Sequence, residues 1–171
     1  MKAESAGAVL EFLIPAVEHE AALTRKVLLA VPAEKGHFRP EEKAMSALEL
    51  CWHIAAADAF FLTAVTTGVF PAFSKMPEGI KTPKDVVAWF DEQVAANVAK
   101  LKSMSGEQAA KLIESPFGPQ PAIVFLNLSI NHTSHHRGQL STYLRPMGAK
   151  VPSIYGTSRD DKEAKEAAAK H

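Results

Sequence analysis

From Glu41 to Thr67 the chain contains neither proline nor glycine and is rich in alanine and leucine. A run of that length without a breaker favours a long α-helix, because every residue in it can donate and accept the i to i−4 hydrogen bond at little conformational cost. Gly68 then supplies a stop. Three other segments read as long helices. Leu10, Leu13, Ile14, Val17, Ala21, Thr24, Leu28 and Val31 recur at the spacing of one helical face and predict a first helix ending at Pro32. Pro15 falls inside that pattern, so this helix either kinks at Pro15 or begins there. Residues 33–40, with Gly36 and Pro40, read as a loop, and 41–67 form the second helix.

The third helix is predicted from Thr82, Pro83 and Asp85, which resemble a capped start, through Val86, Val87, Phe90, Val94, Val98 and Leu101 to about Met104. Val69 to Pro83 is a long connection with room for a helical turn around Phe70 to Phe73. Ser105 caps a short helix over 106–113, and SPFGPQP marks a second long connection. The fourth long helix starts near Pro119 to Pro121 and runs to about Arg145, where Pro146 and Gly148 close it. No window alternates apolar and polar residues as a half-buried strand would, so a sheet is not expected. The fold expected is all-α, a four-helix bundle with long crossover connections. It occupies residues 1–156 and is followed by a charged, Ala-rich tail over 157–171, read as a frayed helix or disordered.

Composition narrows the function classes. The chain has 171 residues, 47 % of them hydrophobic, enough for one domain with a sizeable core. Lys plus Arg and Asp plus Glu each number 19, so no net field points to nucleic acid or an anionic membrane surface. The single cysteine, Cys51, excludes an internal disulfide framework and fits a reducing compartment, the cytoplasm. The N-terminal apolar run is broken by Glu11 and Pro15 and lacks a signal-peptide cleavage pattern, and no stretch is expected to span a membrane.

The chemistry concentrates in NHTSHHRGQ on the fourth helix. At about 100° per residue, Phe125, Leu128, Ser129, His132, His136, Gln139 and Tyr143 fall on one face, so His132 and His136 continue an apolar stripe inward. Two imidazoles one turn apart can converge on one divalent ion. They can equally be paired core histidines. His53, on the second helix, shares a face with Ser46, Leu50, Ala57, Phe60 and Ala64 and is the third candidate, read either as a ligand or as a hydrogen-bonded core histidine. His135 lies about 60° off the pair's face. It and Gln139 are candidates for supporting the ligands or the substrate, as well as for ordinary helix-edge positions. Cys51 is about 200° round the helix from His53 and reads as packing, and Arg137 as structural. Glu49 and Asp58 are the nearest acids to His53 in sequence, neither clearly in the site. A second apolar strip of Ile123, Leu126, Ile130, Leu140 and Leu144 faces away from the histidines, available to another helix or to a twin subunit.

Together, LELCWHIAAADAFFL, NHTSHHRGQLSTYLRPMG and the following VPSIYG resemble the DinB-like (DinB/YfiT) family over nearly the whole chain. The resemblance implies a four-helix bundle with long connections and a divalent metal, Zn2+ or Ni2+ foremost, bound by His53, His132 and His136. It also implies a metal-dependent thiol (S-)transferase or related enzyme. Such an enzyme would act on a small-molecule substrate through an open coordination position, with a low-molecular-weight thiol such as bacillithiol, mycothiol or glutathione as cosubstrate. Relatives are often homodimers. Two other functions remain open at this point: a non-catalytic, stress-linked metal or small-ligand binding protein, and a metal-dependent hydrolase.

Overall fold

Capping groups decide where the second and third long helices start. In the computed structural model, which describes residues 1–115 and 118–169, the second long helix begins at Ala47, not at Glu41 as the absence of breakers suggests. Ser46 accepts from the Glu49 amide while the Glu49 carboxylate accepts from the Ser46 amide, so the first turn is closed here, and residues 41–46 form turns instead. Asp85 and Thr82 make the same reciprocal pair at the third helix.

The elements are α1 (Ala3–Ala30), a 3-10 turn (Ala33–Lys35), α2 (Ala47–Thr67), α3 (Pro83–Ser103), α4 (Gly106–Ala110), β1 (Leu112–Ile113), β2 (Gln120–Pro121), α5 (Ala122–Leu144) and α6 (Arg159–Ala168). The fold is all-α, with α1, α2, α3 and α5 as the bundle. Helix α1 continues through Pro15, whose ring is exposed, so Pro15 marks neither end of the helix. The strands β1 and β2 correct the expectation of no sheet, but only as a two-residue antiparallel ladder, Leu112 opposite Pro121 and Ile113 opposite Gln120. This ladder takes over the residues expected in the last turn of the short helix. No helical turn forms over 70–73. Within SPFGPQP, Pro116 and Phe117 lie outside the described residues, as do the last two residues of the tail, including His171.

Around the bundle, α1 packs on α3 and α5, and α2 packs on the same two helices. The pairs Met45 with Tyr143, His53 with His136 and Asp58 with Ser129 show α2 and α5 running antiparallel. Thr66 with Asn97 and Trp52 with Trp89 show α2 and α3 running parallel. Parallel neighbours joined in sequence require a connection that returns the full length of the helix. That is what the long segment 68–82 does. On its way back Phe70 meets Phe60, Phe73 meets His53, and the Ser74 carbonyl accepts from the Trp52 indole at 3.2 Å. The loops before α2 and after α3 cross the diagonals of the bundle.

The core is continuous along the bundle axis, from Val27, Leu28, Leu50, Ile54, Phe90, Leu140 and Leu144 at one end to Leu10, Leu62, Leu101, Ile123 and Leu126 at the other. Thus Ile123, Leu126, Leu140 and Leu144 are buried within this chain and Ile130 packs against the same cluster. The second apolar strip therefore covers α5's own neighbours. Helix α2 is, contrary to the sequence expectation, long and apolar enough by length and composition to cross a membrane (21 residues, with a mean hydropathy of 1.4 over an 18-residue window). Most of it is buried between α3 and α5, which accounts for the apolar composition of a central bundle helix.

The charged tail forms α6, capped by Ser158, with none of its described residues buried. It is attached by acids: Asp160 accepts from Arg145 and from the Val151 amide, each at 3.0 Å, and Asp161 accepts from the Ser153 amide at 3.0 Å.

Candidate metal centre

Antiparallel packing of α2 on α5 brings His53 opposite the His132 and His136 pair. The ring centroids lie 5.1 Å (His53 to His132), 4.5 Å (His53 to His136) and 4.5 Å (His132 to His136) apart. One nitrogen from each of the three lies within 4.8 Å of the other two, and among the described residues no cysteine or carboxylate joins them. Three imidazoles around one tetrahedral ion hold their nitrogens ~3.3 Å apart, given metal–nitrogen distances of about 2.0–2.1 Å. Small side-chain rotations cover the difference.

The chemistry of the donors also fits a cation. Burial first, then the neighbouring His136, His53 and His135, pushes the His132 imidazole down to about 4, so it is neutral near pH 7. Burial, with His136 beside it, likewise lowers His53. The buried Nδ1 of His132 meets no hydrogen-bond partner in the protein. Leaving such a nitrogen unpaired costs on the order of 1–3 kcal/mol, which a bound cation or a water would offset. His136 Nδ1 lies 2.9 Å from Gln139 Oε1. The amide oxygen only accepts, so Nδ1 carries the hydrogen and the lone pair is left on Nε2.

Of the two supporting candidates, Gln139 therefore orients a triad member. His135 is exposed and its ring meets the His136 ring, with centroids 4.8 Å apart. Cys51 is fully buried and desolvation pushes its thiol up to about 12, which makes it an inert packing residue. Glu49 caps α2.

Two buried charged groups were not readable as such. Asp58 on α2 is 6 % exposed and its Oδ1 accepts from Ser129 at 2.8 Å and Thr133 at 3.3 Å on α5, flanking His132 in sequence. Burial raises its carboxyl to about 6 against the pull of those two hydroxyls. Arg137, 1 % exposed, pairs with Glu20 at 2.6 Å and donates to Thr24, the Glu20 carbonyl and the Tyr155 hydroxyl. Tyr155 of VPSIYG thereby anchors the segment after α5 to α1 and α5. The only sequence signal for Asp58 was an acid in an otherwise apolar helix, which asks for a buried partner.

Aromatic rings wall the triad. Phe61 stands edge-on to His132 at 5.7 Å and Phe73 lies 6.2 Å from His53.

A model of the DinB family matches residues 11–168. The chain belongs to the DinB family. Among curated proteins it is similar to the uncharacterized protein YjoA of Bacillus subtilis, 32 % identical over 125 residues, covering 70 % of this chain and 80 % of that one. Among solved structures it resembles a DinB-like protein from Bacillus cereus, with a TM-score of 0.73 at 25 % identity, covering 85 % of this chain and 97 % of that one. It also resembles the mycothiol-dependent maleylpyruvate isomerase, with a TM-score of 0.61 at 16 % identity, covering 77 % of this chain and 60 % of the isomerase. At that identity the isomerase shares the fold.

Proposed function

We propose that this DinB-family protein is a metal-dependent enzyme that transfers or uses a low-molecular-weight thiol. The observation that carries the reading is the cluster of His53, His132 and His136, which has no fourth protein ligand among the described residues. His53, His132 and His136 would hold a Zn2+ or Ni2+ ion through neutral nitrogens, and such an ion would keep its full charge and supply the Lewis acidity that favours the thiolate form of a thiol. Three neutral donors suit this better than a thiolate-rich set, which would spend the ion's charge on the protein. Gln139 orients His136 by accepting from its Nδ1. Phe61 and Phe73 keep the surroundings apolar, which strengthens the attraction between a cation and an anionic sulfur. The shared fold with a mycothiol-dependent isomerase supports a thiol over water as the activated group. A hydrolase would also need a base near the ion, and Asp58, sequestered by Ser129 and Thr133, is engaged elsewhere.

The test has two stages. Metal analysis of untagged protein should give one Zn2+ or Ni2+ per chain, lost in His53→Ala, His132→Ala and His136→Ala. Metal-loaded protein is then supplied with bacillithiol, mycothiol or glutathione and 1-chloro-2,4-dinitrobenzene, and chloride displacement is followed. Acceleration with at least one thiol that disappears with the metal is expected. A His132→Ala protein that keeps stoichiometric metal, or no metal-dependent rate with any thiol, would refute the proposal.

A further inference from the structure

The stripe that carries the histidines continues past them. On α5, Leu128 lies one turn before His132, and Phe125 a further turn back. On α2, Phe60 and Phe61 lie two turns beyond His53. Phe70, from the returning connection, closes over both helices, with ring centroids 5.0 Å from Phe60 and 4.9 Å from Phe125. These side chains enclose a cavity of about 510 Å3, with Glu114 on its lining. Its size is that of a small-molecule site. Phe61 is both a wall of this cavity and the ring that meets His132 at 5.7 Å, so the cavity and the triad meet at that side chain.

The lining states what would be bound. Four phenylalanines and a leucine offer apolar contact and ring edges, Ser115 adds one hydroxyl, and the described lining holds no cation to pair with an anion. Its one formal charge among the described residues, Glu114, repels negative groups. Leu128 is 37 % exposed, so the cavity is reached from solvent and not sealed in the core.

We propose that this cavity holds the uncharged apolar part, an aryl or branched alkyl group, of the electrophile that accepts the thiol. The reactive carbon then lies past Phe61 at the triad, and the hydrocarbon part extends toward Phe70 and Phe125. This substrate class rests on the thiol-transfer reading above, whereas the ligand chemistry of the cavity rests on its lining alone. Residues Phe61 and Leu128 are the specificity determinants it names.

The experiment titrates N-phenyl-1-naphthylamine, an uncharged aromatic probe that fluoresces in apolar sites, into metal-free and Zn2+-loaded protein. Saturable one-to-one binding is expected in both. Leu128→Trp, which fills the cavity, and Leu128→Asp, which puts a carboxylate on its lining, should each weaken binding at least tenfold. Circular-dichroism melting and zinc stoichiometry verify that both variants are folded with the triad intact. No saturable binding to wild type, or affinities of both folded variants within twofold of wild type, would overturn the proposal. Probe binding without any zinc binding would instead overturn the metal reading, and with it the assignment of the ligand as a thiol acceptor.

Discussion

The Nδ1 nitrogen of His136 sits 2.9 Å from the Oε1 oxygen of Gln139, three residues further along the same helix. This contact fixes the ring orientation and leaves Nε2 as the free donor, the arrangement in which metal-binding histidines are commonly held. Gln139→Ala should therefore weaken zinc binding roughly 10- to 100-fold in a chelator competition. Gln139→Glu, which keeps the acceptor, should recover most of the loss. Equal affinities of wild type and the alanine variant would show that Gln139 does not orient His136.

His132 is the most strongly shifted member of the triad. Proton resonances of its ring in metal-free protein should titrate with a midpoint of about 4, well below an exposed imidazole, because burial opposes its charging. A histidine depressed in the folded state stabilises the fold fully above its unfolded value of about 6.5. That contribution is lost as pH falls through the folded value of about 4. Acid unfolding of the metal-free protein over this window should become shallower in His132→Ala. A midpoint near that of an exposed histidine would contradict the buried placement.

Asp58 works in the opposite direction. Its carboxyl is raised to about 6, so the fold binds the proton more tightly than the unfolded chain does. Its stabilising contribution is complete below the unfolded value of 3.8 and is lost as pH rises through about 6. Asp58→Asn keeps an oxygen for Ser129 and Thr133 but removes the charge. It should stabilise metal-free protein at pH 8 by up to about 3 kcal/mol, with the gain shrinking as pH is lowered from 6 to 4. Urea unfolding across that range measures it, and a pH-independent difference would count against the buried carboxylate.

The Arg137 guanidinium, 1 % exposed, depends on Glu20. Removing one partner of a buried ion pair leaves the other charged and unpaired, so Glu20→Gln should cost about 3 kcal/mol in urea unfolding. The double variant Glu20→Gln with Arg137→Met should cost less than Glu20→Gln alone. A larger loss in the double variant would show that Arg137 contributes chiefly through packing and its hydroxyl partners.

Gly106 opens α4 against the start of α1, where an added Cβ would meet the Ala3 carbonyl oxygen at 2.3 Å. Backbone must move to admit it. Gly106→Ala should lower stability by about 1–3 kcal/mol, the usual range for overpacking, and thermal melting reports it. Gly138→Ala, with open space at its Cβ, is the control and should be neutral or stabilising.

The sequence by itself determined the four long helices, since periodicity and the Pro and Gly breakers act within a few residues of chain. It also placed His132 and His136 on one inward face, because their spacing is a property of the helix alone. Boundaries were less legible: the start of α2 depended on the Ser46 and Glu49 capping pair, and the helix propensity of 41–46 was overridden by it. Only the tertiary structure decided that His53 faces the pair, because the register of α2 against α5 is set by packing between residues distant in sequence. The same holds for Asp58 with Ser129 and for Arg137 with Glu20, whose partners come from other helices. The long connection 68–82 was visible as a loop, but its path was not. Parallel packing of α2 and α3 sends it back along the bundle, and that is what places Phe70 over Phe60 and Phe125 and Phe73 beside His53.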